Sequence, residues 1–176
     1  KVGEGGPIAF NVLYVGRFKL GVSTAGGAKY VIDAAFDYAA ERQQFNRPIS
    51  EFGMVQKKLA NMVTRVWEGD TINYMITGSI DHNLANVDKT ADNYFEIVQK
   101  TIEDHGIEAS ISKVVGSESL AYVVDEGLQI YGGNGFIEEY PMAGIYRDER
   151  INRIFEGTNE INRLIIGSTL MKKTIL

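Results

Sequence analysis

Between residues 54 and 80 the apolar side chains come round every three or four positions. Val55, Leu59, Met62 and Val66 are spaced by four and three, which places them on one face of an α-helix. Trp67 and Met75 stand beside that face and are expected to widen it into the core. Residues from about Phe10 to Ala40 also read as a helix, in which "GVSTAGGAKYVIDAAF" crowds small side chains. Alanine and glycine let helices approach closely, although Gly26 and Gly27 lower helix propensity. Pro48 in "NRPIS" is expected to end this helix, because the residue before a proline avoids helical backbone. No period-2 alternation lasts long enough to specify a strand. A chain patterned in this way has to bury helix against helix.

The more polar residues 81–105 read as a connection, with Tyr94, Val98 and Ile102 marking a short helix inside it. A third long helix is expected from about Ile107 to Ile130. The loop "YGGNGFIEEYP" follows, then a short helix around 142–150, then a polar turn carrying Glu156, then a last helix over 159–172. Thr158 suits the N-cap of that helix, and Glu160 in its first turn suits the positive helix end. The fold class that results is all-α: a four-helix-type up-down bundle in a single domain spanning 1–176.

Composition narrows the function. With 44% hydrophobic and 23% charged residues in 176, the chain has a globular rather than a disordered balance. A net charge of −5 without a basic tract argues against nucleic acid, whose phosphates require clustered Lys and Arg. Cysteine is absent, which excludes disulfides and thiolate chemistry. His82 and His105 stand far apart and form no HExxH-type pair, so no metal site is expected. No apolar run is long enough to span a bilayer. The opening "KVGEGGPIAF" lacks the apolar centre of a signal peptide. It also lacks an initiator methionine, reads as a loop entering a helix, and points to a piece of a longer protein.

Three stretches could carry chemistry. "YGGNGF" fails as a dinucleotide fingerprint: G-x-G-x-x-G from Gly133 needs glycine where Glu138 stands, and no strand precedes it. Alone, it is a turn between helices whose glycines let a backbone approach a ligand closely. In "AAERQQFNRPI", Arg42 and Phe45 fall three apart at a helix end and could share a face. A guanidinium beside an aromatic ring can hold a pyrophosphate and a flat cofactor, although, taken alone, the pair is better explained as a solvated arginine and a core phenylalanine. Arg147, Arg150 and Arg153 alternate with Asp148 and Glu149, a pattern that helix ion pairs account for.

Taken in order, the small-residue helix, "AAERQQFNRPI", "LQIYGGNGFIEEYP" and "YRDERINRIFEGTNEI" resemble the C-terminal helical domain of the acyl-CoA dehydrogenases over nearly the whole chain. The connection at 81–105 and "EFGMVQ" look most like the very-long-chain branch and its bacterial relatives. The resemblance implies that N-terminal helical and middle β-domains precede this chain in the whole protein. It implies FAD as cofactor and desaturation of a fatty acyl-CoA at Cα–Cβ, with Glu156 as the base for the α-proton. Such a base works from a dry pocket, where a carboxylate is strengthened. Arg17, Phe155 and Gly157 would border the substrate. Thr158 and Glu160 would meet FAD in their own subunit. Arg42, Phe45, Gln129 and Gly133 would meet the FAD of a neighbouring one. Some relatives carry the base on the first long helix, at the position matching Gly16, which cannot act as one. Where many relatives have glutamine this chain has Gly53, so no contact is assigned there. The resemblance further implies an electron-transfer flavoprotein as acceptor and a homodimer or dimer of dimers. The expected compartment is a bacterial cytoplasm or, alternatively, the mitochondrial matrix side. An acyl-CoA oxidase and a non-catalytic assembly module of the same fold are the other readings.

Overall fold

The computed structural model describes residue 3 and residues 5–175; the side chains of Pro7, Lys173 and Ile175 are outside the description. Six α-helices account for most of the described residues: α1 (Gly5–Glu41), α2 (Gly53–Leu84), α3 (Tyr94–Asp104), α4 (Gly106–Tyr131), α5 (Pro141–Glu149) and α6 (Asn159–Ile175). The long helices alternate in direction. Lys29 pairs with Asp70 across α1 and α2. Tyr122 of α4 stacks under Arg65 of α2, while Asn73, further along α2, reaches Ser112, earlier in α4. Each consecutive long pair is therefore antiparallel, and the all-α up-down bundle holds. In consequence α1 and α4 run parallel to each other.

The α1–α4 contact explains the crowded small residues. A side-chain carbon added at Gly21 would collide with Ser112, and one at Gly116 with Thr24. One at Gly106 would lie 2.8 Å from the Tyr14 ring, and one at Gly127 2.7 Å from Val31. The backbones thus approach closely along the whole contact. Gly26 faces open space instead, so its cost in propensity has no packing return. Asn73 joins three helices, donating to the Gly21 carbonyl at 3.2 Å and accepting from Ser112 at 2.6 Å. Beyond this polar joint, Val31, Ala35, Ala39, Met62, Val66 and Val123 form the apolar core.

Three sequence expectations are corrected. Trp67 and Met75 do not widen the core face; they are 69% and 65% exposed. The buried line on α2 is Met62, Val66, Gly69, Asn73 and Ile76, a narrow stripe, and Trp67 and Met75 each stand one residue off it. Helix α1 ends at Glu41, seven residues before Pro48. Between them lies a small hairpin, β1 (Gln43–Gln44) paired antiparallel with β2 (Arg47–Pro48). It is too short to show an alternating pattern. Its loop residues Phe45 and Asn46 both have positive φ, 53° and 65°, as a two-residue hairpin turn requires. Arg42 and Phe45 therefore do not share a helix face: Arg42 follows the helix and Phe45 forms the hairpin tip. At the chain's start, α1 already runs from Gly5, and residues 1, 2 and 4 of the expected entry loop lie outside the described residues.

Candidate active site

Glu156 sits in a turn between α5 and α6 that bends through left-handed backbone at two successive residues, Glu156 (φ 57°) and Gly157 (φ 81°). Glycine tolerates this; for glutamate it costs roughly 1–2 kcal/mol. The turn is held against that strain by donors from the bundle. Arg17 Nε of α1 donates to the Glu156 carbonyl at 3.0 Å. Lys113 Nζ of α4 donates to the Gly157 carbonyl at 2.9 Å and to Asn159 Oδ1 at 2.6 Å. Asn162 Nδ2 of α6 lies 2.8 Å from the Gly157 carbonyl and 3.0 Å from that of Thr158. Arg17, Lys113, Asn159 and Asn162 are all buried.

The charge of these groups is shaped by burial. Desolvation lowers the Lys113 pKa to about 8, helped by the nearby Arg17 guanidinium and opposed by Glu160, Glu118 and Glu156. Burial likewise lowers Arg17, against the attraction of Tyr14 and Glu156. At the start of α6 the expected cap is present: the Ile161 N–H donates to Thr158 Oγ1 at 3.3 Å. Glu160's carboxyl is held below its usual range, first by its own backbone N–H and then by the Thr158 hydroxyl.

With its carbonyls gripped, Glu156 lays its carboxylate on Gly16 of α1. A side-chain carbon at Gly16 would lie 2.5 Å from Glu156 Oε2 and 2.7 Å from its carboxyl carbon. Only glycine leaves room for the carboxylate there. The same carboxylate borders a groove of about 500 Å³ between α1 and α3. Ile8, Val12 and Val15 line one wall and Phe95, Val98 and Ile102 the other, with Asn11, Lys19 and Gln99 adding polar groups. On its other side the turn borders a polar recess of about 280 Å³, lined by Glu118, Arg150, Arg153, Thr158, Asn159 and Glu160 among others. Of the arginine cluster, Arg153 pairs with Glu149 within the segment at 3.0 Å, whereas Arg147 reaches out to Glu138 at 2.9 Å.

The sequence-derived site residues divide into two groups. Glu156, Phe155, Gly157, Thr158, Glu160 and Arg17 come together at the turn. Arg42, Phe45, Gln129 and Gly133 gather where α1 and α4 end. There Tyr38 stacks on Tyr131 at 4.0 Å, and Asn134 Nδ2 donates to Tyr38 Oη at 2.9 Å, tying the glycine loop to α1. All four residues are exposed, Phe45 by 85%.

A family model described as "Acyl-CoA dehydrogenase, C-terminal domain" matches residues 3–171. The chain belongs to this family. Over 177 residues it is 46% identical to a probable acyl-CoA dehydrogenase of Bacillus subtilis (strain 168), covering 99% of this chain and 30% of that protein. It is 39% identical over 167 residues to the mitochondrial very long-chain specific acyl-CoA dehydrogenase of Rattus norvegicus, covering 95% of this chain and 23% of that protein. Its fold matches an acyl-CoA dehydrogenase complexed with FAD from Bacillus anthracis with a TM-score of 0.95 at 45% identity, covering 99% of this chain and 31% of that one. The chain thus spans about 30% or less of the length of these relatives. Among the described residues, no helix is long and apolar enough to cross a membrane.

Family motifs single out Glu156 but say nothing of Lys113 or Asn162, which hold its turn. One signal was available for Lys113. At helical spacing it lies on the stripe of Gly106, Ala109, Ser110, Ser117 and Leu120, all buried, and a lysine on a core stripe requires a polar partner.

Proposed function

We propose that this chain is the C-terminal domain of an FAD-dependent acyl-CoA dehydrogenase that desaturates a fatty acyl-CoA at Cα–Cβ, with Glu156 as the base. In the full-length protein N-terminal helical and middle β-domains precede it. The observation that carries this reading is the Glu156 carboxylate seated on Gly16 at the edge of an apolar groove. A thioester whose acyl chain lay in the groove would bring its α-carbon near this carboxylate. The α-proton would pass to a Glu156 oxygen. Arg17 and Lys113 would keep the turn from recoiling by holding its carbonyls.

The residues fit FAD on two counts. The recess beside Thr158 and Glu160 is polar and bordered by Arg150 and Arg153, which suits the polar edge of a bound flavin. At the far end, the exposed Phe45 and Arg42 offer a ring and a guanidinium. When bound, FAD supplies the acceptor for the β-hydrogen as hydride. Gly16 and Arg42 are 26 residues apart on and just beyond one helix, about 39 Å at 1.5 Å per residue. One chain's Arg42 and Phe45 are therefore too far from its own Glu156 to attend the reacting end of the same flavin. This supports a homodimer or dimer of dimers in which they serve a neighbour's cofactor. An electron-transfer flavoprotein would then reoxidise the enzyme.

The test is Glu156→Gln in the full-length protein. FAD content and thermal stability should stay near wild type, while anaerobic flavin reduction by acyl-CoA falls roughly 10²–10⁴-fold, the usual worth of a positioned base. Reduction at the wild-type rate would remove Glu156 from the role.

A further inference from the structure

Among the described residues, Lys113 is the largest side chain that is wholly buried, at 0% exposure. Burying an ammonium is unfavourable unless its protons are taken up by well-placed acceptors. Here the direct acceptors are the Gly157 carbonyl at 2.9 Å and Asn159 Oδ1 at 2.6 Å, one and three residues after Glu156. Asn159 is itself fixed, donating to Ser117 Oγ and Glu118 Oε1, each at 3.1 Å. Arg17 holds the preceding carbonyl from α1, beside the Gly16 on which the carboxylate rests. The two left-handed residues are thus gripped by cations from α1 and α4 and by Asn162 from α6, and neither cation hydrogen-bonds the carboxylate itself among the bonds described. The charged groups around Lys113 are Arg17 on α1, Glu118 on its own helix, Glu156 in the turn and Glu160 on α6.

We propose that Lys113 is a positioning residue for Glu156: by holding the Gly157 carbonyl and the Asn159 side chain, it keeps the turn in the left-handed form that seats the carboxylate on Gly16. A lysine suits this task because its flexible stem presents three donors to acceptors in differing directions. The inference rests on the reading of Glu156 as the base.

Five full-length proteins test it: wild type, Lys113→Met, Glu156→Gln, the double variant and a Val124→Ala control. Lys113→Met keeps the length and removes the donors. Flavin reduction at saturating acyl-CoA should fall about 10–100-fold, the effect of a misplacement near 1 Å, with KM within threefold of wild type. Exchange of the acyl-CoA α-hydrogen with deuterated solvent should slow by the same factor. In the Glu156→Gln background, Lys113→Met should change the residual rate by less than twofold, because the residue acts through the carboxylate. Val124→Ala, a cavity in the buried part of the same helix, serves as the destabilised control and should keep the wild-type rate. If Lys113→Met does not fold, Lys113→Gln, which retains one donor group, takes its place with a smaller fall in the same pattern. The proposal is overturned by a rate within twofold of wild type, by a loss confined to KM, by an equal loss in Val124→Ala, or by full additivity in the double variant. Should Glu156→Gln itself keep the wild-type rate, the base assignment fails instead, and the role of Lys113 falls with it.

Discussion

The two ends of the α1–α4 pair both carry left-handed residues, and they support them in opposite ways. At one end, Glu156 and Gly157 are held by buried donors from three helices. At the other, Phe45 and Asn46 form a hairpin tip where both residues are exposed; the Phe52 ring stands edge-on to Phe45 with centroids 6.1 Å apart. Strain supported from within belongs to a group that must not move relative to its own bundle. An exposed phenylalanine in an unfavourable backbone suits a surface completed by something outside the chain. On the proposed function, the contrast would separate residues that act in their own subunit from residues offered to another.

Gly16→Ala is the sharpest way to break this contrast, because it disturbs the gripped end without touching any of its donors. The atoms nearest the added methyl all lie at the far end of the Glu156 side chain, so the fold should survive with a stability change of about 1 kcal/mol or less. The carboxylate would have to leave its seat, and flavin reduction should drop about 100-fold. A rate equal to wild type would show that the seat on Gly16 is irrelevant to turnover.

Arg42→Ala with Phe45→Ala probes the opposite end. FAD retention on dilution should weaken by about tenfold, corresponding to roughly 1.4 kcal/mol, while the unfolding midpoint stays put. Mixed oligomers sharpen the point: subunits carrying Glu156→Gln, combined with subunits carrying the Arg42 and Phe45 changes, should contain one kind of site with both defects and another with neither. Activity that simply averages the two parents would place all these residues around one flavin in one chain.

Val98→Phe narrows the groove from the α3 side. The longest acyl-CoAs should lose about tenfold in kcat/KM, within the range usual for a crowded apolar pocket, and the shortest almost nothing. A uniform loss across chain lengths would remove the groove from the acyl path.

The last effect is read in stability against pH and not in rate. Lys113 has its pKa lowered from 10.5 to about 8 by burial. Between those values the unfolded chain holds a proton that the native chain has released, so unfolding takes up protons and stability rises with pH through this window. Below pH 8 both states are protonated and the penalty of burial is fully present. Relative to Lys113→Met, the wild type should gain on the order of 2 kcal/mol between pH 8 and 10.5, measured by denaturant titration at each pH. A flat difference would mean that the lysine's proton is held equally in both states.

These regions also differ in how far the sequence discloses them. Helical periodicity locates every long helix, because each buries a stripe against its neighbours. The N-cap Thr158 is readable from its residue type and place. Glu156 is readable from motif alone. The grip on its turn is mostly not, since Asn159 and Asn162 look solvated until the bundle closes over them, and only the place of Lys113 on a core stripe of α4 hints at it. The hairpin is equally hidden, because two-residue strands have no period to detect. Trp67 and Met75 mislead for a third reason: an apolar residue beside a core stripe looks the same in sequence whether a neighbouring helix covers it or none does.

Helix α1 has one more consequence. Its 37 residues make a rod of about 55 Å, clamped in register to α4 by glycines along the contact. The rod works as a ruler between the gripped turn and the hairpin. Inserting one residue beyond Gly27 would turn everything downstream by 100° and push it 1.5 Å outward. The nearest insertion that restores the facing is seven residues, two turns with a residual of about 20°. The helix can therefore tolerate many changes of side chain while its length is quantised, and any working lengthening should arrive in whole turns.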